Sequence, residues 1–313
     1  MAFLLRRLMM LVITVLIVSL FIFIVFQVLP GDPALTILGV DAEEEQVQAL
    51  REKMGLDQPL LMRYVSWLMD ALHGDLGESL RFSTSVSSLI VSRLSLTFLL
   101  SIFSLSMTVI VAIPLGILVA RMHGRWVDIL ISIATQIGMA VPSFWLGILF
   151  ILLFSVLLHW FVPGQYVPWQ ENLLASIKSL FVPALAIAVP EIALIMRYVR
   201  TAIIEQLPQD YVRTARSKGL KELNVYYIHI LKNALIPILT IVGMVFANIM
   251  AGTLIVEQVF ALPGIGRLLV SSISYRDFPL IQGIVLYISF IVVVVNLIVD
   301  ILYVWIDPRI RLQ

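Results

Sequence analysis

Apolar residues fall in six long runs: roughly Leu8 to Leu29, Leu94 to Ala120, Ile129 to Leu158, Leu173 to Met196, Leu235 to Val256 and Leu280 to Trp305. Each is helix-length and far too long for a barrel strand, so the pattern predicts six membrane-spanning helices. At ~1.5 Å per residue the first run is about 33 Å long, enough to cross a hydrocarbon core of about 30 Å. A cleavable leader would have a shorter apolar stretch and a small-residue cleavage site, whereas Pro30-Gly31-Asp32-Pro33 follows directly, so this run reads as an uncleaved span. The third run carries Val141-Pro142-Ser143 in its middle. Proline removes a ladder hydrogen bond and clashes with the preceding turn, so one kinked span and one broken span both fit.

Between the first two runs, residues 30–93 are too many for a plain connector. Asp41 and Glu44 have capping-box spacing, and the helix they open would run to Met54 and end at Gly55. A second short helix, about Leu60 to Leu72, would close at Gly74. The chain thus divides into an N-terminus with the first span (1–29), a small helical cap outside the membrane (30–93) and a transmembrane core (94–313) with a basic loop at 197–234. Arg6, Arg7, Arg121, Arg125, Arg197, Arg200, Arg213, Arg216, Lys218, Lys221 and Lys232 fall in alternate loops, and the 159–172 loop has no lysine or arginine. The positive-inside rule places the basic loops, both termini and the Arg309 and Arg311 tail in the cytoplasm. The 257–279 loop then faces outward.

Composition agrees with a bilayer. Sixty per cent of residues are hydrophobic and 13% charged, more apolar surface than a soluble domain of this length could bury. A net charge of +1 without a basic cluster excludes a nucleic-acid footprint. There is no cysteine, hence no disulfide or thiolate metal site. His73, His123, His159 and His229 never recur at i, i+4, which rules out a helical zinc pair. No phosphate-cradling glycine loop ending in Gly-Lys-Ser/Thr, no Gly-x-Ser-x-Gly elbow and no His-Glu-x-x-His helix is present. If ATP drives this protein, another chain must hydrolyse it.

The segment Leu207 to Leu220 reads as one short cytoplasmic helix. Pro208 suits its first turn, Asp210 complements the positive helix end and Gly219 suits its C-terminal cap. Tyr211 and Ala215 share a small, apolar face, whereas Arg213 and Arg216 share a cationic one. A solvated positive-inside loop and a docking helix for a soluble partner both fit. Within the spans, Glu191 follows Pro190 and is the only carboxylate read deep inside an apolar run, where a charge costs about 2.5–3.5 kcal/mol. It reads either as a pore carboxylate or as a hydrogen-bonded structural acid. Gly243, Ala247 and Ala251 form a small-residue ridge with Asn248 and Gly252 beside it, fitting either helix packing or a substrate-lining face. Asp300 lies near the cytoplasmic end of the last run, beside an aromatic belt of Tyr303 and Trp305. The hydroxyls of the second run, Ser95, Thr97, Ser101, Ser104, Ser106 and Thr108, can satisfy themselves on carbonyls of their own helix.

Taken in order, Leu29-Pro-Gly-Asp-Pro-Ala34, Leu56-Asp-Gln-Pro-Leu60, Gly74-Asp-Leu-Gly77, Asp210-Tyr-Val-Arg-Thr-Ala-Arg-Ser-Lys-Gly219, Asn233-Ala-Leu-Ile-Pro237, Phe260-Ala-Leu-Pro-Gly-Ile-Gly-Arg267, Arg276-Asp-Phe-Pro279 and Asp307-Pro-Arg-Ile-Arg311 form a specific set. With them the chain resembles, over nearly its whole length, the inner-membrane permeases of the oligopeptide, dipeptide, glutathione and nickel ABC importers. The resemblance implies an all-α type I importer permease with six transmembrane helices, in a bacterial or archaeal cytoplasmic membrane. It further implies that 210–219 is the coupling helix for an ATPase subunit, with Gly219 as the glycine of that motif and Asp210, Tyr211, Arg213, Ala215 and Arg216 around it. Arg213-Thr-Ala215 stands where the broader importer motif has Glu-Ala-Ala, a variant usual in the peptide branch. Implied partners are a homologous second permease, two ATPase subunits or domains that bind ATP and magnesium, and an extracytoplasmic solute-binding protein. The cap and the 257–279 loop are where that protein would touch. Two other classes remain: an ion-gradient-driven secondary transporter using Glu191, which would need an internal repeat that the chain halves do not show, and a receptor or scaffold, which leaves 207–220 unexplained.

Overall fold

The structure, a computed structural model, describes residues 2–28, 38, 42–53 and 57–306. The Pro30–Pro33 motif, Asp41 of the expected capping box, Gly55, the side chain of Asp300 and the 307–311 tail lie outside the described residues. Eleven helices are described: α1 (Ala2–Val28), α2 (Glu44–Lys53), α3 (Leu60–Leu72), α4 (Val86–Arg121), α5 (Trp126–Ala140), α6 (Ser143–Leu157), α7 (Leu173–Gln206), α8 (Asp210–Ser217), α9 (Glu222–Val259), α10 (Ile265–Tyr275) and α11 (Phe278–Ile306). Among the described residues the sole β feature is an isolated bridge, Glu78 to Ser85. Five helices, α1, α4, α7, α9 and α11, are each long and apolar enough to cross a membrane, and α5 with α6 makes a sixth span if the pair counts as one.

That pair settles the alternatives at Pro142: the helix is broken, with α5 and α6 at 94°. Val141 and Pro142 take extended backbone, and Pro142 precedes Ser143 as the cap of α6, where its missing N–H costs nothing. α3 falls on Leu60 to Leu72 as expected, and Gly74, at φ +85°, takes the left-handed conformation behind it. Several boundaries differ from the sequence reading. α4 begins at Val86, inside the stretch assigned to the cap; α7 runs on to Gln206 and α9 begins at Glu222, so the basic loop read at 197–234 is helical at both ends; and the segment after α9 contains a helix of its own, α10.

The chain forms two compact units, one of residues 1–95 and 264–294, the other of 96–263 and 295–313. In the larger unit α7 is central, with α5, α6 and α9 packed on it. Five alanines of α7, Ala184, Ala186, Ala188, Ala193 and Ala202, are buried on opposite sides of the helix, and short side chains let neighbouring helices come close. Gly116 of α4 shows how close, because a Cβ there would lie 2.7 Å from Cβ of Val199. The hydroxyls of α4 behave as expected: Ser101, Ser104, Ser106 and Thr108 donate to the carbonyls of Thr97, Leu100, Ile102 and Ser104. Thr97 differs, its Oγ1 donating at 2.6 Å to Oε1 of the fully buried Glu257. Asp128, in the first turn of α5, is 5% exposed and takes a two-pronged ion pair from Arg200 of α7, Nε to Oδ1 and Nη2 to Oδ2, both 2.7 Å. The Gly124 amide at 3.2 Å and the His123 ring at 3.1 Å meet the same Oδ2.

In the smaller unit, Asp277 plays a similar part. It is 1% exposed, and its carboxylate accepts from Ser79 Oγ at 2.5 Å and from the amides of Leu80, Arg81 and Leu280 at 3.2–3.3 Å. Arg81 stacks over Tyr275, 3.0 Å from the ring centre. The two segments that the sequence placed outside the membrane, before α4 and before α11, are thereby tied together. Gly283 lets α11 approach the same loop, since a Cβ there would lie 2.6 Å from Cγ1 of Val86.

Two stability tests follow from this packing. Gly116→Ala and Gly283→Ala should each destabilise by about 1–3 kcal/mol through overpacking, read as a fall in the unfolding midpoint of the detergent-solubilised chain. Gly252→Ala, whose Cβ would meet nothing within 4 Å, should cause no fall. Asp128→Ala leaves the Arg200 guanidinium without its carboxylate and should cost about 1.5–3 kcal/mol. A double-mutant cycle with Arg200→Ala that returned no coupling would show water already screens the pair.

Candidate cytoplasmic docking helix and pathway residues

α8 is short, and its two ends explain why it forms. Pro208 precedes the N-cap residue Gln209 rather than sitting in the first turn, a two-position correction that still keeps α7 from running on. Asp210 opens the helix beside the free amides, where a carboxylate is favoured. At the other end the Gly219 amide donates to the Arg216 carbonyl at 2.9 Å and the Leu220 amide reaches the Ala215 carbonyl at 3.4 Å. Gly219 itself is at φ +74°. This is a Schellman closure, and glycine meets its left-handed residue without steric cost.

The apolar side of α8 points inward. Val212 is fully buried and Ala215 is 5% exposed, and both pack with Val225, Tyr226 and Ile230 at the start of α9. Tyr211 is half-buried and its hydroxyl donates to Oε1 of Gln206 at 2.9 Å, fastening the helix to the end of α7. Arg216 makes a two-pronged pair with Glu222 of α9, 3.0 and 3.3 Å, so one of the two expected cationic residues ties α8 to its own scaffold. The outer face carries Arg213, Thr214, Ser217 and Lys218, all exposed. Arg213 lies 3.8 Å from Asp210, with both side chains largely in water. α8 is thus held rigidly on its inner side and presents a polar, basic outer side.

The three pathway candidates lie on α7 and α9. Glu191 is half-buried, and its Oε2 is buried without a hydrogen-bond partner among the described residues. Asn248 is exposed on the outer face of α9 with Met244, Ala251 and Ile255. Beside it Gly252 borders open space. The Gly243, Ala247, Ala251 ridge runs from a buried residue through a half-buried to an exposed one, because a four-residue step overshoots a 3.6-residue turn.

Glu191 is not alone as a buried carboxylate. Glu257, Asp128 and Asp277 are all more deeply buried, and the sequence reading passed over all three. Two carried a signal: Glu257 stands just ahead of Phe260–Arg267 and Asp277 lies inside Arg276–Pro279, both segments of the motif set. Asp128 carried none, since its partner is 72 residues away. Among the described residues no group of three or more histidine, aspartate or glutamate side chains could hold a metal ion.

Comparison with known proteins agrees along the whole chain. Residues 112–312 match the family model described as binding-protein-dependent transport system inner membrane component, and residues 1–101 match the N-terminal model of the same membrane components. A Brucella abortus (strain 2308) protein named for a peptide transport system permease is 41% identical over 310 residues, covering 99% of each chain. The oligopeptide transport system permease protein AppB of Bacillus subtilis is 37% identical over 313 residues, again 99% of each. The glutathione transport system permease protein GsiC of Escherichia coli is 38% identical over 309 residues, 99% of this chain and 98% of that one. Nothing among these relatives supports an ion-gradient-driven secondary transporter. A nearly all-helical multi-pass chain, matched end to end, belongs to the binding-protein-dependent transport system inner membrane components and is a permease subunit of an ABC importer.

Proposed function

We propose that this chain forms half of a translocation pathway, that α8 is where the ATPase partner docks, and that peptides are the solute. The observation that carries the docking assignment is the division of α8 into a scaffolded inner face, Val212 and Ala215, and a basic exposed face, Arg213, Thr214, Ser217 and Lys218. Tyr211, Arg216 and Gly219 hold the helix in place, while Asp210 and Arg213 lie at its surface. ATP and magnesium are bound by two partner ATPase subunits or domains, and this chain contributes no ATP site. The names of the relatives favour peptides, with glutathione as a related cargo.

The complex is completed by a homologous second permease and an extracytoplasmic solute-binding protein. The exposed α9 stripe of Met244, Asn248, Ala251 and Ile255 is where the second permease or the solute would meet this chain. Glu191 would meet a cationic group of the solute, and Gly252 would leave room beside Asn248. Both termini lie in the cytoplasm, in a bacterial or archaeal inner membrane. Supporting that orientation, the Asp128–Arg200 pair joins the basic 121–125 loop to the end of α7 that leads into α8. The binding protein would dock on the outward segments, 30–93 and 257–279, with the permease core in 94–313 and the coupling segment, α8 between the ends of α7 and α9, within 197–234.

Absence of native cysteine makes docking testable. Thr214→Cys and Ser217→Cys, on the exposed face, should crosslink to the co-expressed ATPase subunit with a yield that changes on ATP addition. Ala215→Cys, buried against α9, should react poorly. Equal reactivity at all three, or no crosslink at 214 and 217 in an assembled complex, would sink the assignment. For the solute path, Glu191→Gln should lower uptake of peptides with a cationic side chain more than uptake of neutral ones. A uniform loss accompanied by loss of assembly would instead make Glu191 a structural acid.

A further inference from the structure

α3 has three sides, and only two have an evident environment. Tyr64, Trp67, Leu68 and Ala71 form the side turned to α1: the Tyr64 hydroxyl lies 2.9 Å from Ser19 Oγ and 3.4 Å from the Leu16 carbonyl, and Phe23 meets the rings of both Tyr64 and Trp67. Arg63, Ser66 and Asp70, spaced i, i+3, i+7, form a narrow polar side. The third side is Leu61, Val65, Met69 and Leu72, spaced i, i+4, i+8, i+11, and these are 75%, 50%, 55% and 74% exposed.

What covers this third side follows from where α3 sits. Ser19 lies eight residues inside Gln27, the last residue of the α1 span, or about 12 Å below that end at ~1.5 Å per residue. A helix that hydrogen-bonds Ser19 is therefore at acyl-chain depth along α1. The neighbouring flank of α1 is itself an exposed apolar surface, with Ile13, Ile17, Phe21 and Ile24 at 47–66%, so the bare side of α3 continues a lipid-facing surface. Its four residues include no aromatic or charged anchor of the kind that dominates protein contacts. The aromatics of α3 are turned to α1, against Ser19 and Phe23.

We propose that α3 is a membrane-embedded interfacial helix, its Leu61, Val65, Met69 and Leu72 side lying among the acyl chains of the leaflet at the Gln27 end of α1 and its Arg63, Ser66 and Asp70 side facing water. Interfacial helices with such a division sit about 5–10 Å into the headgroup and acyl boundary. On the orientation proposed above this is the outer leaflet, although the embedding itself does not depend on which leaflet it is. The segment between the first two spans is then anchored sideways in lipid by its own helix as well as through α1.

The test uses the full chain in proteoliposomes, with single cysteines at Val65, Met69, Ser66 and Asp70 carrying a nitroxide. Collisions with oxygen, which concentrates in lipid, are compared with collisions with a water-soluble nickel chelate. Positions 65 and 69 should favour oxygen several-fold over positions 66 and 70. Equal access of the nickel chelate to all four would overturn the proposal, and so would shielding of 65 and 69 from both reagents, which would mean protein covers them. The unsubstituted chain gives an independent readout through phospholipid carrying a photoactivatable acyl chain. Adducts should map to residues 60–72 as well as to α1, and labelling of α1 without any on 60–72 would refute the embedding.

Discussion

A peptide group that enters hydrocarbon must find its hydrogen-bond partner inside the protein, and the organisation of this chain follows from that requirement. It selects helices for every span and leaves almost no β structure among the described residues. It also decides where backbone irregularity is tolerated. The break at Pro142 falls between two helices that both pack on α7, and Pro142, which has no N–H to satisfy, stands at it. Ser101, Ser104 and Thr108 of α4 obey the same rule on a smaller scale, each returning to a carbonyl one turn back.

Charge obeys it more strictly. Asp128 and Asp277 are both buried, and both are surrounded by donors: a guanidinium and a backbone amide in one case, a hydroxyl and three amides in the other. Each ties segments far apart in sequence, and each works because a carboxylate can accept several bonds at once. Glu191 contrasts with them, since one of its oxygens has no such company. Asp128 and Asp277, each with several donors around it, act as fasteners.

Most of the architecture was legible because hydrophobic run length is a direct physical signal. The spans, the short helix at Leu60–Leu72, the left-handed glycines at 74 and 219, and the helix at 210–217 all follow from local rules of length, capping and turn chemistry. What stayed hidden depended on distance in sequence. The Asp128–Arg200 pair joins residues on two different helices, and the burial of Glu257 depends on packing that periodicity cannot report. Starting α4 at Val86 required knowing that its first turns pack against Gly283 of α11. The candidate docking helix was readable at its ends but not in its facing. That Ala215 points inward while Thr214 and Ser217 point outward is fixed by contacts with α9.

The ends of α8 have a further consequence. Its last carbonyls are satisfied by its own Gly219 and Leu220 amides, and Arg216 is satisfied by Glu222. Contact with a neighbour therefore need supply no missing backbone partner there, and separation strands none. A surface closed in this way can be approached and released many times with little difference in internal energy between the two conditions. Cyclic, reversible engagement is what such a segment is suited to, in contrast to a permanent joint.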